Sequence, residues 1–347
     1  MDCEIVVTRL GATAIYDRVS GETMHPMGAL VEAREVYVGP SRLEARLLEG
    51  GPPLVLFDVG LGAASNAIDA WRISESLPES ARRLEIVSFD NDLSALILAL
   101  LPANADTFGL VREPADAFAA ASALARDGRH ETTRTSWRLA FGDLRVRLAE
   151  EPEASADVLF WDMFSRGIDP ELWTTDTFRQ LRRVCRDGAT LHTYNAATST
   201  RAGLLLAGFA VGVGGPTGDR GQTTAAATAH QDLTQPLDAR WLQRLERSDV
   251  PFPTDVGTSP DARAADQPYH RRGTGTDHPG CQHLDACRGE GHLGPAPGYR
   301  HAGRQCTIGR ALCCDPFGGL HAIPCDGATW GRSRDHRLRQ SQGGPVS

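Results

Sequence analysis

Four aspartates carry the first chemical signal in this chain. Asp58 closes the apolar run Leu54–Phe57, Asp90 closes Leu84–Phe89, and Asp162 closes Asp157–Trp161. Asp143 follows Trp137–Phe141 across Gly142. A single aspartate at a strand end is usually a helix cap or a solvated group. Four of them on successive parallel strands would line one sheet edge, the edge at which such sheets bind ligands. Ionised carboxylates only accept hydrogen bonds, so they suit a ligand that donates them or carries positive charge.

The stretch Leu54–Asn66 reads as a buried strand, a glycine turn and a helix start. Gly60 and Gly62 lack a Cβ, so the backbone can turn sharply and a ligand can come close. Ser65 or Asn66 is placed to cap the helix that follows. Asp90 lies roughly 30 residues past the turn, against the ~20 usual in a dinucleotide-binding unit, and can accept from both hydroxyls of a ribose. A ribose diol, an adenine amino group and an ammonium together describe S-adenosylmethionine. A dinucleotide would want basic residues and free helix N-termini for its pyrophosphate, and the full G-x-G-x-x-G is absent. An NAD(P)-dependent oxidoreductase is therefore the alternative of another class.

The elements that would position these residues alternate. Strands are predicted at 54–58, 85–90, 136–142, 156–162, 189–195, 207–213 and 222–228, and helices at 64–76, 92–101, 114–127, 170–186 and 198–207. This βαβα rhythm predicts an α/β fold, a mostly parallel sheet covered on both faces, with the last two strands as an antiparallel edge hairpin. Asp187-Gly188 is expected to close the 170–186 helix. Residues 1–50 form a short β-containing extension, with strands at 4–7 and 35–38. Between them a turn-rich loop, Ser20–Ala29, carries Glu22 and His25, and such loops often carry function. A last helix is expected over 237–247.

The net charge is −8 over 347 residues, so the whole molecule lacks the basic footprint of a nucleic-acid binder, though local patches can exist. The chain contains no lysine, which coding bias explains. No apolar run approaches the ~20 residues that span a bilayer, and no signal peptide is visible, so a soluble cytoplasmic protein without membrane contact is expected. Nothing points to an obligate protein partner. Residues 51–250 read as the catalytic domain. Residues 251–347 are rich in Gly, Arg, His, Pro and Cys and poor in aliphatics. This tail reads as disordered, or as an out-of-frame translation of GC-rich DNA, which an unbroken frame on resequencing would exclude. Cys281, His283, Cys287 and His292, with Cys306, Cys313, Cys314 and Cys325 beyond, match none of the paired spacings of structural zinc, so no metal is expected.

The segment Asp157-Val-Leu-Phe-Trp-Asp162-Met-Phe164-Ser-Arg-Gly-Ile-Asp169-Pro170-Glu171-Leu172-Trp173-Thr174 resembles the "DxxFLDGFxPxxNPxLWT" signature of the MnmC-type methyltransferase domain family. Gly21–His25 resembles the family's "GETxHS", Phe57–Asn66 its "ETGFGTGLN", Ser88–Asp90 its "SFE", Gly142-Asp143 its "GD", and Arg186–Leu191 its "RPGGTLAT". The resemblance covers roughly residues 20–250. It implies a Rossmann-like class I methyltransferase that uses S-adenosylmethionine to methylate the aminomethyl group of a tRNA wobble uridine. A small-molecule or protein amine is the alternative acceptor, and an inactive relative that only binds partners is a third reading. The resemblance implies Asp162 as the catalytic residue beside the acceptor amine. Gly60, Gly62 and Asn66 fall in its cofactor loop, with Asp58 near the cofactor ammonium. Asp90 would hold the ribose, Asp143 would face the adenine, and Phe164 would wall the pocket. Glu22 and His25 would close over the substrate, with tRNA as the implied partner. Departures stand at Ala64, where the family has its third glycine, at Met163, where a glycine follows the catalytic aspartate, and at Asp169, usually asparagine. Many relatives carry a fused flavin-dependent oxidase domain. Nothing after residue 250 resembles one, so no flavin is expected.

Overall fold

A computed structural model describes residues 2–111, 116–216 and 221–246, together with the short strand pair Leu312–Cys314 and Leu320–Ala322. Most of the tail, including Cys281, His283, Cys287, His292, Cys306 and Cys325, lies outside the described residues.

The first three strands, β1 (Cys3–Val7), β2 (Thr13–Asp17) and β3 (Glu22–Met24), form an antiparallel meander. The main sheet has eight strands. They are β4 (Leu54–Val59), β5 (Leu84–Asp90), β6 (Arg129–Glu131), β7 (Thr135–Phe141), β8 (Ala156–Trp161), β9 (Cys185–Thr193), β10 (Ala210–Gly214) and β11 (Thr223–Ala227), in spatial order β10-β11-β9-β8-β4-β5-β7-β6. The five central strands β9, β8, β4, β5 and β7 run parallel. The hairpin β10–β11 closes one edge antiparallel and β6 the other. All six residues of β4 are buried, which is why Leu54–Phe57 reads as a continuous apolar run and not as an alternation.

Helices cover both faces: α3 (Ser65–Ser76), α4 (Ser94–Ala99) and α5 (Ala117–Asp127) on one side, α6 (Leu144–Glu150), α7 (Thr175–Val184) and α8 (Thr198–Leu206) on the other. The last described helix, α9 (Ala239–Glu246), places Trp241 in the core on the α6, α7 and α8 side of the sheet. Among the described residues no helix is long and apolar enough to cross a membrane.

Three local expectations are corrected. Residues 35–38 are not a strand. After α1 (Ala29–Glu32) the chain continues as a π-helical turn, Ala33–Val38, before α2 (Leu43–Leu48). Ala29, Ala33, Val36 and Tyr37 fall at helical spacing and all four are buried, Ala29, Val36 and Tyr37 in the core that holds Leu54 and Leu56. Asp187-Gly188 does not end a helix. The helix stops at Val184, and both residues lie within β9, where the register with β8 slips and Gly188 has φ 77°. Neither Ser65 nor Asn66 caps α3. Its cap is Ala64, in the left-handed region with no side-chain hydrogen bond.

Candidate active site

The carboxyl ends of β8, β4, β5 and β7 lie side by side, so Asp162, Asp58, Asp90 and Asp143 follow one another along one edge. Three of them, Asp162, Asp90 and Asp143, border a cleft of about 1000 Å³. Gly60, Gly62, Asp90, Asp143, Asp162 and Phe164 line it from the sheet side, and Glu22 and His25 from the N-terminal meander. Asp58 and Asn66 are buried behind this lining.

Gly60 is set by a close approach. It has φ 90°, and a Cβ there would lie 2.4 Å from the Asp162 carbonyl oxygen. The two backbones therefore touch, with the Asp162 amide donating to the Val59 carbonyl (2.8 Å). Gly62 has φ 51°, and its amide donates to Asp90 Oδ2 (3.0 Å). The amides of Asn91 and Asp92 donate to Asp90 Oδ1 (2.8 and 3.0 Å). Burial pushes the Asp90 carboxyl above the usual carboxylate range, and these three amides oppose that.

Asp162 is held by side chains from three separate segments. The Tyr37 phenol donates to its Oδ1 at 2.6 Å and Asn66 Nδ2 to its Oδ2 at 2.8 Å. His25 Nδ1 lies 3.8 Å from Oδ2 and 3.7 Å from Glu32 Oε2. Burial raises the Asp162 carboxyl, opposed by His25, Tyr37 and Asn66. Burial alone would lower His25, but Asp162 and Glu32 outweigh it and carry the imidazole up to about 9. An imidazolium therefore sits among carboxylates at neutral pH. His25 holds a left-handed backbone, φ 52°, a strain of the kind that collects at functional sites.

Asp58 accepts from Ser88 Oγ at 2.8 Å. Burial raises its carboxyl to about 7 despite that bond. Its Oδ1 and the Oδ1 of Asn66 are buried acceptors with no partner. Asp143 caps α6 through the Arg145 amide (2.8 Å) and also pairs with the Arg145 guanidinium (2.8 Å), whose other arm reaches Glu171. Phe164 offers its carbonyl to Trp173 Nε1 (2.7 Å). Trp173 packs edge-on against Trp161, Phe178 and Tyr194, which anchors the loop after Asp162. Glu22 grips the same loop, accepting from the Ser165 amide (2.9 Å) and hydroxyl.

The residues that sequence reasoning missed are Tyr37, Glu32 and Ser165. For the first two the helical spacing of 29, 33, 36 and 37 was the available signal. Among the described residues no cluster of three or more His, Cys, Asp or Glu is arranged to hold a metal ion.

Residues 110–229 match the family model described as S-adenosyl-L-methionine-dependent methyltransferase. The tRNA 5-methylaminomethyl-2-thiouridine biosynthesis bifunctional protein MnmC of Methylibium petroleiphilum is 30% identical over 223 residues, 64% of this chain and 34% of that protein. The protein of the same name from Cupriavidus necator is 31% identical over 238 residues, 66% of this chain and 35% of that protein. The chain thus spans about a third of the length of these relatives. Among solved structures, MNMC2 from Aquifex aeolicus superposes with a TM-score of 0.60 at 27% identity, covering 75% of this chain and 80% of that one.

Proposed function

The chain carries an S-adenosylmethionine-dependent methyltransferase domain of the MnmC type, and from that premise we propose that it methylates the aminomethyl nitrogen of a tRNA wobble uridine. The observation that carries this reading is Asp162. It is a largely enclosed carboxylate at the cleft, held from two sides by Tyr37 and Asn66 and positioned by a backbone contact with the glycine turn.

The residues fit the cofactor. Asp58 Oδ1 and Asn66 Oδ1 are unpartnered acceptors beside the glycine turn, so the missing partner is a donor, and an ammonium group is one. In this reading Gly60 and Gly62 border the methionine portion, Asp90 takes the ribose hydroxyls, Asp143 faces the adenine and Phe164 walls the pocket. When bound, S-adenosylmethionine supplies an electrophilic methyl group on a sulfonium.

The acceptor amine must be neutral to attack and becomes positive as the bond forms. Asp162 accepts a hydrogen bond from that amine, stabilises the developing charge and takes the surplus proton. Glu22 fixes the loop that carries Asp162, and His25 closes the meander side of the cleft. Alignment of the two reactants supplies much of the rest.

The net charge of −8 favours a second reading, in which the acceptor is a small-molecule or protein amine, because tRNA binding ordinarily uses a basic surface. The deciding experiment incubates the purified chain with S-adenosylmethionine and tRNA bearing unmethylated aminomethyluridine, then analyses nucleosides by mass spectrometry. Appearance of the methylaminomethyl nucleoside, lost in Asp162→Asn, is expected. Cofactor binding with no methylated nucleoside would overturn the tRNA reading.

A further inference from the structure

The π-helical turn Ala33–Val38 has a consequence for the chemistry. A π turn holds one more residue than an α turn and is frequent at functional sites. Here it carries Tyr37, fully buried and tilted against Phe160 at 5.5 Å, with its hydroxyl 2.6 Å from Asp162 Oδ1. The phenol donates to one carboxylate oxygen while Asn66 Nδ2 takes the other at 2.8 Å. Two donors on opposite oxygens fix the rotation of the carboxyl plane, which one donor cannot do. The aspartate sits at the cleft, whereas Tyr37 lies outside its lining.

We propose that Tyr37 is a positioning residue for methyl transfer, holding the Asp162 carboxylate in the orientation and charge state that the acceptor amine needs. The proposal rests on the reading of Asp162 as the group beside that amine. The groups facing Asp162 come from five elements: His25 from the loop after β3, Glu32 from α1, Asp58 from β4, Asn66 from α3 and Tyr37 from the π turn. Of these, Glu32 and Asp58 disfavour the anion. His25, Asn66 and Tyr37 favour it. Removing the phenol hydroxyl therefore moves protonation of Asp162 to higher pH. Adding acidity to the phenol moves it lower, because a stronger donor stabilises the anion more.

The test reads the carboxyl group itself. Full-length protein labelled with 13C at the aspartate side-chain carboxyls is titrated by NMR, the Asp162 resonance being assigned by its loss in Asp162→Asn. In Tyr37→Phe, which keeps the ring against Phe160, the Asp162 midpoint moves up by about one pH unit, the scale of a hydrogen bond to a charged group. With 3-fluorotyrosine at position 37, which keeps both ring and hydroxyl, it moves down. The acid limb of methyl transfer shifts in the same two directions. An unmoved Asp162 midpoint in a folded Tyr37→Phe protein, or in the 3-fluorotyrosine protein if the first does not fold, overturns the proposal. If the midpoint moves as expected but no tRNA is methylated, the acceptor assignment has failed while the positioning of Asp162 by Tyr37 stands.

Discussion

Gly60→Ala and Gly62→Ala alter neighbouring glycines of one loop and are expected to differ sharply in cost. At Gly60 the backbone has φ 90°, and the new methyl would lie 2.4 Å from the Asp162 carbonyl oxygen and 2.8 Å from its carbon. These are backbone atoms of a loop gripped at both ends, so no side chain can rotate away. The left-handed conformation costs an L-residue about 1–2 kcal/mol. Forcing packed backbone apart adds about 1–3 kcal/mol, and the stiffer unfolded chain returns about 0.4–1 kcal/mol. The net loss is about 1–4.5 kcal/mol on those three contributions, centred on about 3 kcal/mol. At Gly62 the φ is 51° and the nearest atom is the Met24 sulfur at 3.7 Å. Only the conformational cost remains, about 1.5 kcal/mol or less after the unfolded-state gain. Urea denaturation of both variants, followed by circular dichroism, measures the difference. Gly60→Ala should also blunt the action of Asp162, whose main chain is what must move. Equal losses for the two variants would refute the argument that Gly60 is set by backbone contact with Asp162 and not by its dihedral angle alone.

Other outcomes follow from the same geometry. Ala64, buried with φ 65°, should tolerate Ala64→Gly within about 1 kcal/mol, since relief of the left-handed strain is offset by a freer unfolded chain and a lost methyl contact. His25 rises from 6.5 to about 9 on folding, so its contribution to stability is complete below pH 6.5 and is lost as pH climbs through about 9. The urea midpoint should fall across that window, and His25→Gln should flatten the fall. Asp90→Asn keeps an acceptor for the loop amides but loses its charge, and calorimetry should find S-adenosylmethionine binding weakened tenfold or more, on the scale of a charge-assisted hydrogen bond. Glu22→Gln weakens the grip on Ser165 and should lower methyl transfer while leaving the thermal midpoint within a few degrees.

Much of this arrangement is legible in the chain because parallel strands buried on both faces leave a plain mark. Leu54–Phe57 and Val158–Trp161 are continuous apolar runs followed directly by Asp58 and Asp162, and they belong to neighbouring strands of the sheet. What stayed hidden depends on contacts between distant segments. Glu35–Val38 has the β-branched and aromatic composition of a strand, yet burial of Ala29, Ala33, Val36 and Tyr37 on one side makes it helical. Tertiary packing overrides local propensity there. Asn66 looked like a cap because asparagine favours caps, but its amide is drawn to Asp162. Asp143 does cap a helix and also pairs with Arg145, so a carboxylate meant for a ligand and one meant for a helix end look alike in sequence.

The two halves of the cleft have different origins. The sheet edge supplies Gly60, Gly62, Asp90 and Asp143, all within the alternating α/β pattern. The partners that tune Asp162 come chiefly from residues 22–37, ahead of the first strand of that pattern: His25, Glu32 and Tyr37. Only Asn66 comes from the sheet's own helices. Val36, Tyr37, Leu43 and Leu47 share one core with Leu54 and Leu56, so this leading segment is built into the domain and cannot lift away from it as a rigid lid. Substitutions at cleft-lining positions outside that core, such as Glu22 and Met163, can therefore reshape one side of the cleft without disturbing the sheet edge. The converse does not hold. A change at Gly60 reaches both halves, because the glycine turn and the Asp162 backbone are in direct contact.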